Sequence, residues 1–470
     1  MAIPNDALAI ALDEVKPNVA DVALREVSMV EGALLQQNTQ HSVALAFRER
    51  YQGYLIFDHN SNNWLEWTGQ YWAVEKLGRV MHYCREMSAM VGEKGSQRRS
   101  FVEGVEKFCR DDPELASNSN LFDLDNYLFN CPDGTYNLLT GERADHYQGD
   151  LITNIAGCSP AEGYGKRFPV FLKEITCGDK ELETFLQIAL GSCLSGALEN
   201  NWLQFWIGDG RNGKNTLGDA VMRVMGTYAR KIPSSALMKS KHEGHPTEIA
   251  NLKGCRLAVA SEVEQSSFFS ESRINELTGD AVLSARFMRG NFFEFKRTFK
   301  FLIYGNHRPR LNSITDALKE RIKMVRFNAS FTGRDGNPAP DPDLASNLEK
   351  EDGNILRWLI DGHLAWIKNG KKLPQSAAVN NEIQEYMDSQ STVDNWIDEC
   401  LDPETIREYF DKASVLYEHY KKWKEERSEQ PYSMVAWADS MVKRLSKDVR
   451  KEGNYYSARL KPHERAKAIT

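Results

Sequence analysis

The chain has no apolar run that approaches the ~18–20 residues needed to cross a bilayer. Its opening, Met1-Ala2-Ile3-Pro4-Asn5-Asp6, lacks the basic start and apolar centre of a secretory signal. The eight cysteines stand at least 16 residues apart with no CxxC pair, and the ten histidines form no HxxxH or HEXXH pattern. Zinc modules and disulfide frameworks are therefore excluded, and a reducing cytosol is expected. Positive charge is in deficit as well: 59 Lys and Arg against 66 Asp and Glu give −7, with a pI of about 5.9. That rules out a histone-like cationic coat but not a local basic strip. Disorder is excluded by ten Trp, 21 Phe and 17 Tyr, enough bulk for substantial cores. The length of 470 residues suggests about three domains at roughly 150 residues each.

Along the chain, residues 1–43 read as a leader with a marginal helix over 21–35 and a polar linker, Gln36 to Gln40. Residues 44–165 read as a mixed α/β accessory domain. Its hairpin-like runs Tyr54–Phe57 and Trp64–Trp67 are followed by a helical stretch and by the turn-rich segment from Asn130 to Glu142. From 166 to 330 the pattern is helices, then strand, loop, helix and several strands. Residues 331–390, opening with Gly333-Arg334-Asp335-Gly336-Asn337-Pro338, read as a linker and helical extension. Residues 391–470 read as a helical unit with a basic end.

The chemistry is concentrated in the third of these segments. The apolar run Trp202–Ile207 enters Gly208-Asp209-Gly210-Arg211-Asn212-Gly213-Lys214-Asn215-Thr216, and a helical pattern continues through Leu217–Met225. Strand, GxxxxGK and helix in that order form a phosphate-binding loop. Backbone N–H groups turn inward, the helix start adds partial positive charge, and Lys214 supplies a mobile point charge for the β- and γ-phosphates of ATP. The residue after the lysine, usually Ser or Thr on Mg²⁺, is Asn215. Its amide oxygen can ligate that ion, and Thr216 can do so if the helix start shifts.

Three further residues suit a nucleotide-hydrolysing site. Leu257–Ser261 is an apolar strand that delivers Glu262, a carboxylate able to position Mg²⁺ or activate water, with Glu264 as possible support. A strand merely ending in solvent explains the same pattern. Thr298–Gly305 ends in Asn306, which can bond the γ-phosphate or cap a turn. Arg321, before the strand Lys323–Phe327, can serve as an arginine finger or as a surface charge. By contrast, the Asp123-Leu124-Asp125 pair lies in the accessory part and is not expected to hold a catalytic metal.

Taken in order, these motifs resemble a superfamily 3 helicase: Gly-x-Gly-x-Asn-Gly-Lys, strand-Ser-Glu, Leu277-Thr278-Gly279-Asp280 with Ala285-Arg286 and Phe295, strand-Gly-Asn-x-x-Pro, then Arg-Ile before a strand. The likeness is greatest to poxvirus-type primase-helicases and related phage, plasmid and satellite replication proteins, and it extends over about residues 45–440. It implies an α/β fold: a P-loop AAA+-type core with an accessory domain ahead and a helical, winged-helix-type domain behind. It further implies a homo-oligomeric ring, usually hexameric, that translocates 3′→5′ on single-stranded or forked DNA with ATP and Mg²⁺. About 45 leading residues are too few for a primase domain, so a separate primase or polymerase is expected, with the bacterial cytoplasm as location.

DNA is expected at two places. Residues 283–300 read as a β-hairpin with its tip at Arg289-Gly290-Asn291, and they carry five positive charges and one negative. Cations can follow phosphates there while rings stack on bases, with Arg289 foremost and Arg286 and Lys296 behind. The phenylalanines of this stretch suit a core at least as well. Residues 441–470 hold nine Lys and Arg against three acids; a DNA-binding winged helix and a solvated basic tail explain them equally. Setting both segments aside leaves −7 − 10 = −17 on the rest, compatible with a ring whose exterior repels DNA. A different function also fits: an ATP-switched initiator that holds origin DNA through residues 390–470 and recruits another helicase.

Overall fold

The computed structural model describes residues 18–199, 201–238, 246–261, 269–286, 292–308, 316–334, 336–389, 392–427, 431–442, 444–462 and 464–465. Glu262 and Arg289 therefore lie outside the described residues, as does Glu264.

The first unit begins at Val19, well before residue 44. Three helices, α1 (Val19–Ala23), α2 (Met29–Leu35) and α3 (Gln40–Tyr51), each start in a capping box, set by Asn18, Ser28 and Thr39. The segment 24–27 has no such start, so the expected single helix over 21–35 is two. Val19, Val22 and Leu35 are buried with Phe47 and Tyr51, and Glu31 takes both Nε and Nη2 of Arg50 at 3.0 Å. Residues 18–43 are thus built into this unit and are not a leader; the partners that fix them lie 19 residues away, out of reach of local pattern. Strands β1 (Leu55–Asp58), β2 (Asn63–Trp67) and β3 (Trp72–Val74) form an antiparallel meander. Helices α4 (Arg79–Met90) and α5 (Arg99–Arg110) follow, and β4 (Ala116–Ser117) joins β1 in parallel.

The next meander, β5 (Leu128–Cys131), β6 (Gly134–Asn137) and β7 (Arg143–Ala144), packs into the main core rather than the first one. Its anchor is Arg256, fully buried, whose guanidinium donates to the carbonyls of Leu194 and Leu128 at 2.6 Å and lies 4.5 Å from the Tyr228 ring centroid.

The main body contains α6 (Arg167–Ile175), α7 (Lys180–Ser192), β8 (Leu203–Ile207), α8 (Lys214–Met225), β9 (Ala229–Pro233), α9 (Pro246–Ala250) and β10 (Leu257–Ser261). It continues with α10 (Glu271–Gly279), β11 (Val282–Ala285), β12 (Phe293–Lys296), β13 (Lys300–Gly305), α11 (Asp316–Arg321) and β14 (Ile322–Arg326). Five strands form a parallel sheet in the order β14-β8-β13-β10-β9. The central strands β8 and β13 are buried along their whole length, as expected where both faces of a parallel sheet are covered. Helices α12 (Leu344–Glu349), α13 (Asp352–Lys368) and α14 (Ala377–Ser389) belong to the same core, so residues 344–389 complete this body instead of linking it to another.

A separate core gathers α15 (Thr392–Cys400), β15 (Leu401–Pro403), β16 (Asp411–Lys412), α16 (Ala413–Glu426), α17 (Met434–Met441), β17 (Lys447–Arg450), β18 (Gly453–Tyr456) and β19 (Ala458–Leu460) around Trp396, Tyr420 and Trp437. Strands β16, β18 and β17 form one antiparallel sheet in that order.

Lys300 begins β13 inside the protein. Its ammonium donates to the carbonyls of Ala197 at 2.8 Å and Ser192 at 3.0 Å, closing the C-terminal end of α7. Desolvation lowers its pKa to about 8. The unfolded chain then keeps this proton at pH values where the folded chain has shed it, so raising the pH from about 8 to about 10.5 favours the folded state. The stability of wild type relative to Lys300→Met, measured by urea unfolding at pH 7.5 and pH 10, is expected to shift towards wild type at the higher pH.

Candidate functional site

The phosphate loop lies where the sheet order predicts a binding crevice, at the carboxyl end of β8. Ile207 is level with Gly305 of β13 on one side and Arg326 of β14 on the other. Beyond it the loop runs Gly208 to Gly213, and α8 begins at Lys214. Gly213 is the N-cap in a left-handed conformation (φ 84°) and has no side chain to offer the open amides of the first turn. This leaves donors and the positive helix end facing outward for an anion.

The loop is braced from inside by Asn212, which is 2% exposed. Its Nδ2 donates to the Phe327 carbonyl at 3.3 Å, and its Oδ1 accepts from the Lys214 amide at 3.4 Å. Gly208 is required beside it: a Cβ there would lie 2.0 Å from Asn212 Nδ2 and 2.7 Å from the Phe327 oxygen. Two walls enclose the loop. Ile175 and Phe171 at the end of α6 press on Gly213, and the Phe331 amide donates to the Arg211 carbonyl at 2.8 Å. Sequence reasoning named Asn212 as a loop residue but missed these walls, since α6 and the segment after β14 carry no motif.

Lys214 is the centre of the site. It is 4% exposed, and its ammonium donates to the Gly208 carbonyl at 3.0 Å and to Asn306 Oδ1 at 2.7 Å. Both partners are neutral. Desolvation lowers the lysine's pKa, with Asp209 partly opposing it. The structure thus brings together Gly208 to Lys214 and Asn306. Asn215 is exposed and Thr216 half-buried on the first turn of α8, next to the lysine. Their oxygens fit the donor chemistry of Mg²⁺. The other proposed ligand, Glu262, directly follows Ser261 at the end of β10, one strand beyond β13. Among the described residues no cluster of three or more His, Cys, Asp or Glu could hold a metal. Asp123 is a half-buried brace that accepts from the Thr153 amide at 2.9 Å, and desolvation raises its pKa.

Arg321 is engaged within its own chain. Its Nη1 donates to Thr278 Oγ1 at 3.0 Å and to the Asn275 carbonyl at 3.3 Å, at the C-terminal end of α10.

The hairpin forms, with Leu283 opposite Phe295 and Ala285 opposite Phe293. Leu283, Ala285 and Phe295 are buried in the main core, while Ser284, Glu294 and Lys296 face outward. Arg286 is exposed with its guanidinium 4.8 Å from the ring centroid of Phe292, itself 62% exposed. Two of the five counted cations do not reach this surface. Lys300 closes α7, and Arg297 is 6% exposed with Nε on the Asp280 carbonyl at 2.9 Å. The count of +4 therefore overstates the charge offered to DNA.

The C-terminal count is overstated in the same way. Arg444 pairs with Asp398 at 2.7 Å, Arg450 with Asp448 at 2.7 Å, Arg465 with Asp411 at 2.6 Å and Arg459 with Glu404 at 3.5 Å. Lys461 donates to the carbonyls of Asp398 and Glu399 at the end of α15. Among the described residues of this segment, these five cations close the domain onto α15, β16 and the intervening loops.

Comparison with known proteins adds the following. Residues 44–188 match the family model described as D5 N terminal like, and residues 206–321 match a family of unknown function. A protein described as a helicase in Acanthamoeba polyphaga mimivirus is 26% identical over 248 residues, covering 51% of this chain and 25% of that protein. One so described in Invertebrate iridescent virus 3 is 26% identical over 166 residues, 34% of this chain and 18% of that protein. A protein described as a primase in African swine fever virus is 21% identical over 258 residues, 51% of this chain and 26% of that protein. The apo C-terminal region of NrS-1 superposes with a TM-score of 0.48 at 9% identity, covering 86% of this chain and 95% of that one. The chain spans about a quarter or less of the length of these viral relatives. Among the described residues no helix is long and apolar enough to cross a membrane. Over up to about half of its length the chain is similar to helicase- and primase-described proteins of large DNA viruses.

Proposed function

We propose that this protein is an ATP-dependent DNA helicase of superfamily 3 type, acting in replication of a viral, phage, plasmid or satellite genome. The observation that carries the reading is the placement of Lys214. A P-loop ammonium buried against two neutral oxygens, one of them the amide of Asn306 on the neighbouring strand, is a cation awaiting an anion. Phosphates entering the loop draw Lys214 towards themselves and release the Asn306 amide. That amide is then free to bond the γ-phosphate or orient the attacking water. Glu262 takes the proton of that water. Mg²⁺, held by Asn215 or Thr216 together with Glu262, supplies charge neutralisation on the phosphates. Arg321 leaves Thr278 to reach the γ-phosphate of a neighbouring subunit in a homo-oligomeric, hexameric ring. The parallel order with β13 between β8 and β10 supports an AAA+-type core, and the C-terminal sheet with α15, α16 and α17 supports a winged-helix-type unit.

DNA contact is assigned to the hairpin, through Arg286, Lys296 and Arg289 at its tip, with 3′→5′ translocation as the resemblance implies. The initiator reading requires residues 390–470 to hold origin DNA, and it is weakened by the ion pairs that occupy Arg407, Arg427, Arg444, Arg450, Arg459 and Arg465. A separate primase or polymerase completes the replication machinery.

Lys214→Ala is expected to lower ATP turnover about 100-fold or more with loss of nucleotide binding, and Glu262→Gln to lower turnover comparably while binding persists. Steady-state hydrolysis and binding of a fluorescent ATP analogue measure both; normal turnover in either variant removes the assignment. Strand displacement from a forked duplex, without protein partners, separates helicase from initiator. The double substitution Arg286→Ala with Lys296→Ala is expected to weaken single-stranded DNA binding. It should also flatten the dependence of log K on log salt by about 1.4, from roughly 0.7 per lost phosphate contact.

A further inference from the structure

Helix α14 carries a carboxylate that this cycle leaves unused. Glu382 is 4% exposed. Its Oε1 accepts from Arg308 Nε at 2.9 Å and also from Arg308 Nη2, and its Oε2 accepts from Arg326 Nε at 3.0 Å. Arg308 additionally lies 3.4 Å from Glu385, one turn further along the helix.

The two arginines arrive from opposite sides of the phosphate-loop strand. Arg308 stands two residues beyond Asn306 on the segment leaving β13, and Arg326 ends β14. Gly305 and Arg326 are the residues level with Ile207, the last residue before the loop. One buried carboxylate therefore ties down the exits of both strands that flank β8. A second tie runs nearby, from Lys319 Nζ on α11 to Gln384 Oε1 at 2.9 Å.

Stability alone does not call for this arrangement, because apolar side chains of similar volume would pack α14 at least as well as a buried ion cluster. The two arms also differ in what they fix. The Arg326 arm fixes the end of a strand already held by its ladder with β8. The Arg308 arm fixes a segment beyond the last ladder pair of β13, and that segment includes Asn306. A reacting geometry displaced by about 1 Å can cost on the order of 100-fold in rate. The side chain that sets Asn306 is therefore worth a buried charge.

We propose that Glu382, acting through Arg308, is a positioning residue for Asn306 and makes α14 part of the hydrolytic site. This rests on the nucleotide-hydrolysis reading above. The test compares Arg308→Met, Glu382→Gln, the double variant and Arg326→Met in the full chain. Rates are taken below the lowest melting temperature of the set. Arg308→Met and Glu382→Gln are expected to lower kcat for ATP about tenfold, with KM within about twofold, because Lys214 and the loop amides are untouched. The double variant should be no slower than the slower single one, as for residues acting as one unit. Arg326→Met removes the other donor from the same carboxylate, and its kcat should stay within about twofold of wild type although it too loses stability.

Equal losses of kcat in Arg326→Met and Arg308→Met, additive losses in the double variant, or a raised KM at unchanged kcat would each overturn the proposal. If Glu382→Gln fails to fold, the contrast between the two arginine variants decides the matter alone. Wild-type hydrolysis abolished by Lys214→Ala but unaffected by Arg308→Met removes this inference and leaves the hydrolysis reading standing. A wild-type protein that does not hydrolyse ATP removes both.

Discussion

A lysine ammonium enclosed by the protein and offered only neutral oxygens is the feature on which the rest of the site depends. Lys214 could satisfy its charge with a carboxylate, and the adjacent Asp209 is available in sequence, yet Asp209 is exposed and the ammonium turns to Gly208 and Asn306. Holding a cation in this state costs desolvation energy. The fold sustains it because each surrounding element is fixed independently. Gly208 is pressed against Asn212 and Phe327, Gly213 against Ile175, and Asn306 extends from a strand buried along its full length. The parallel order that places β13 beside β8 is what brings an amide from almost a hundred residues away within 2.7 Å of the lysine. A sheet wound in simple sequence order would have put β9 there instead.

Elements whose causes are local were legible in the sequence, and those with distant causes were not. The apolar run, the glycine spacing and the helical pattern occupy 24 consecutive positions from Trp202 to Met225, and the strand, loop and helix are found at Leu203–Met225. The hairpin was legible for the same reason, through alternation on either side of a turn. The two short helices before residue 36 were not, because what holds them lies in other elements: core partners such as Phe47 and Tyr51 for α1, and Arg50 for α2. Nor could any spacing reveal that the meander of β5 to β7 belongs to the main body, since that depends on a buried arginine, Arg256, whose acceptors lie at residues 128 and 194. Asn306 was legible as the end of a strand, whereas Glu382 was invisible: a single acid on an amphipathic helix has no distinguishing pattern until its partners are known.

Charge is where composition misled most, and the correction alters where the proposed nucleic-acid contact falls. A count along the chain treats every Lys and Arg as available to phosphate. Counterion release, however, is gained only from cations that are not already compensated within the protein. In the hairpin, Arg297 and Lys300 are committed to backbone carbonyls, which leaves Arg286 and Lys296 as its described outward cations. In the C-terminal unit, six arginines are bound to carboxylates of the same unit. Much of the positive charge counted in these two segments is therefore committed within the protein, joining helix ends to loops and one element to the next. What remains outward on the hairpin is a narrow strip, with Arg286 stacked on an exposed phenylalanine. A cation beside a solvent-facing ring suits an unpaired base and its phosphate better than it suits the regular backbone of a duplex. That pairing supports the proposed single-stranded DNA contact better than a total of positive charges could.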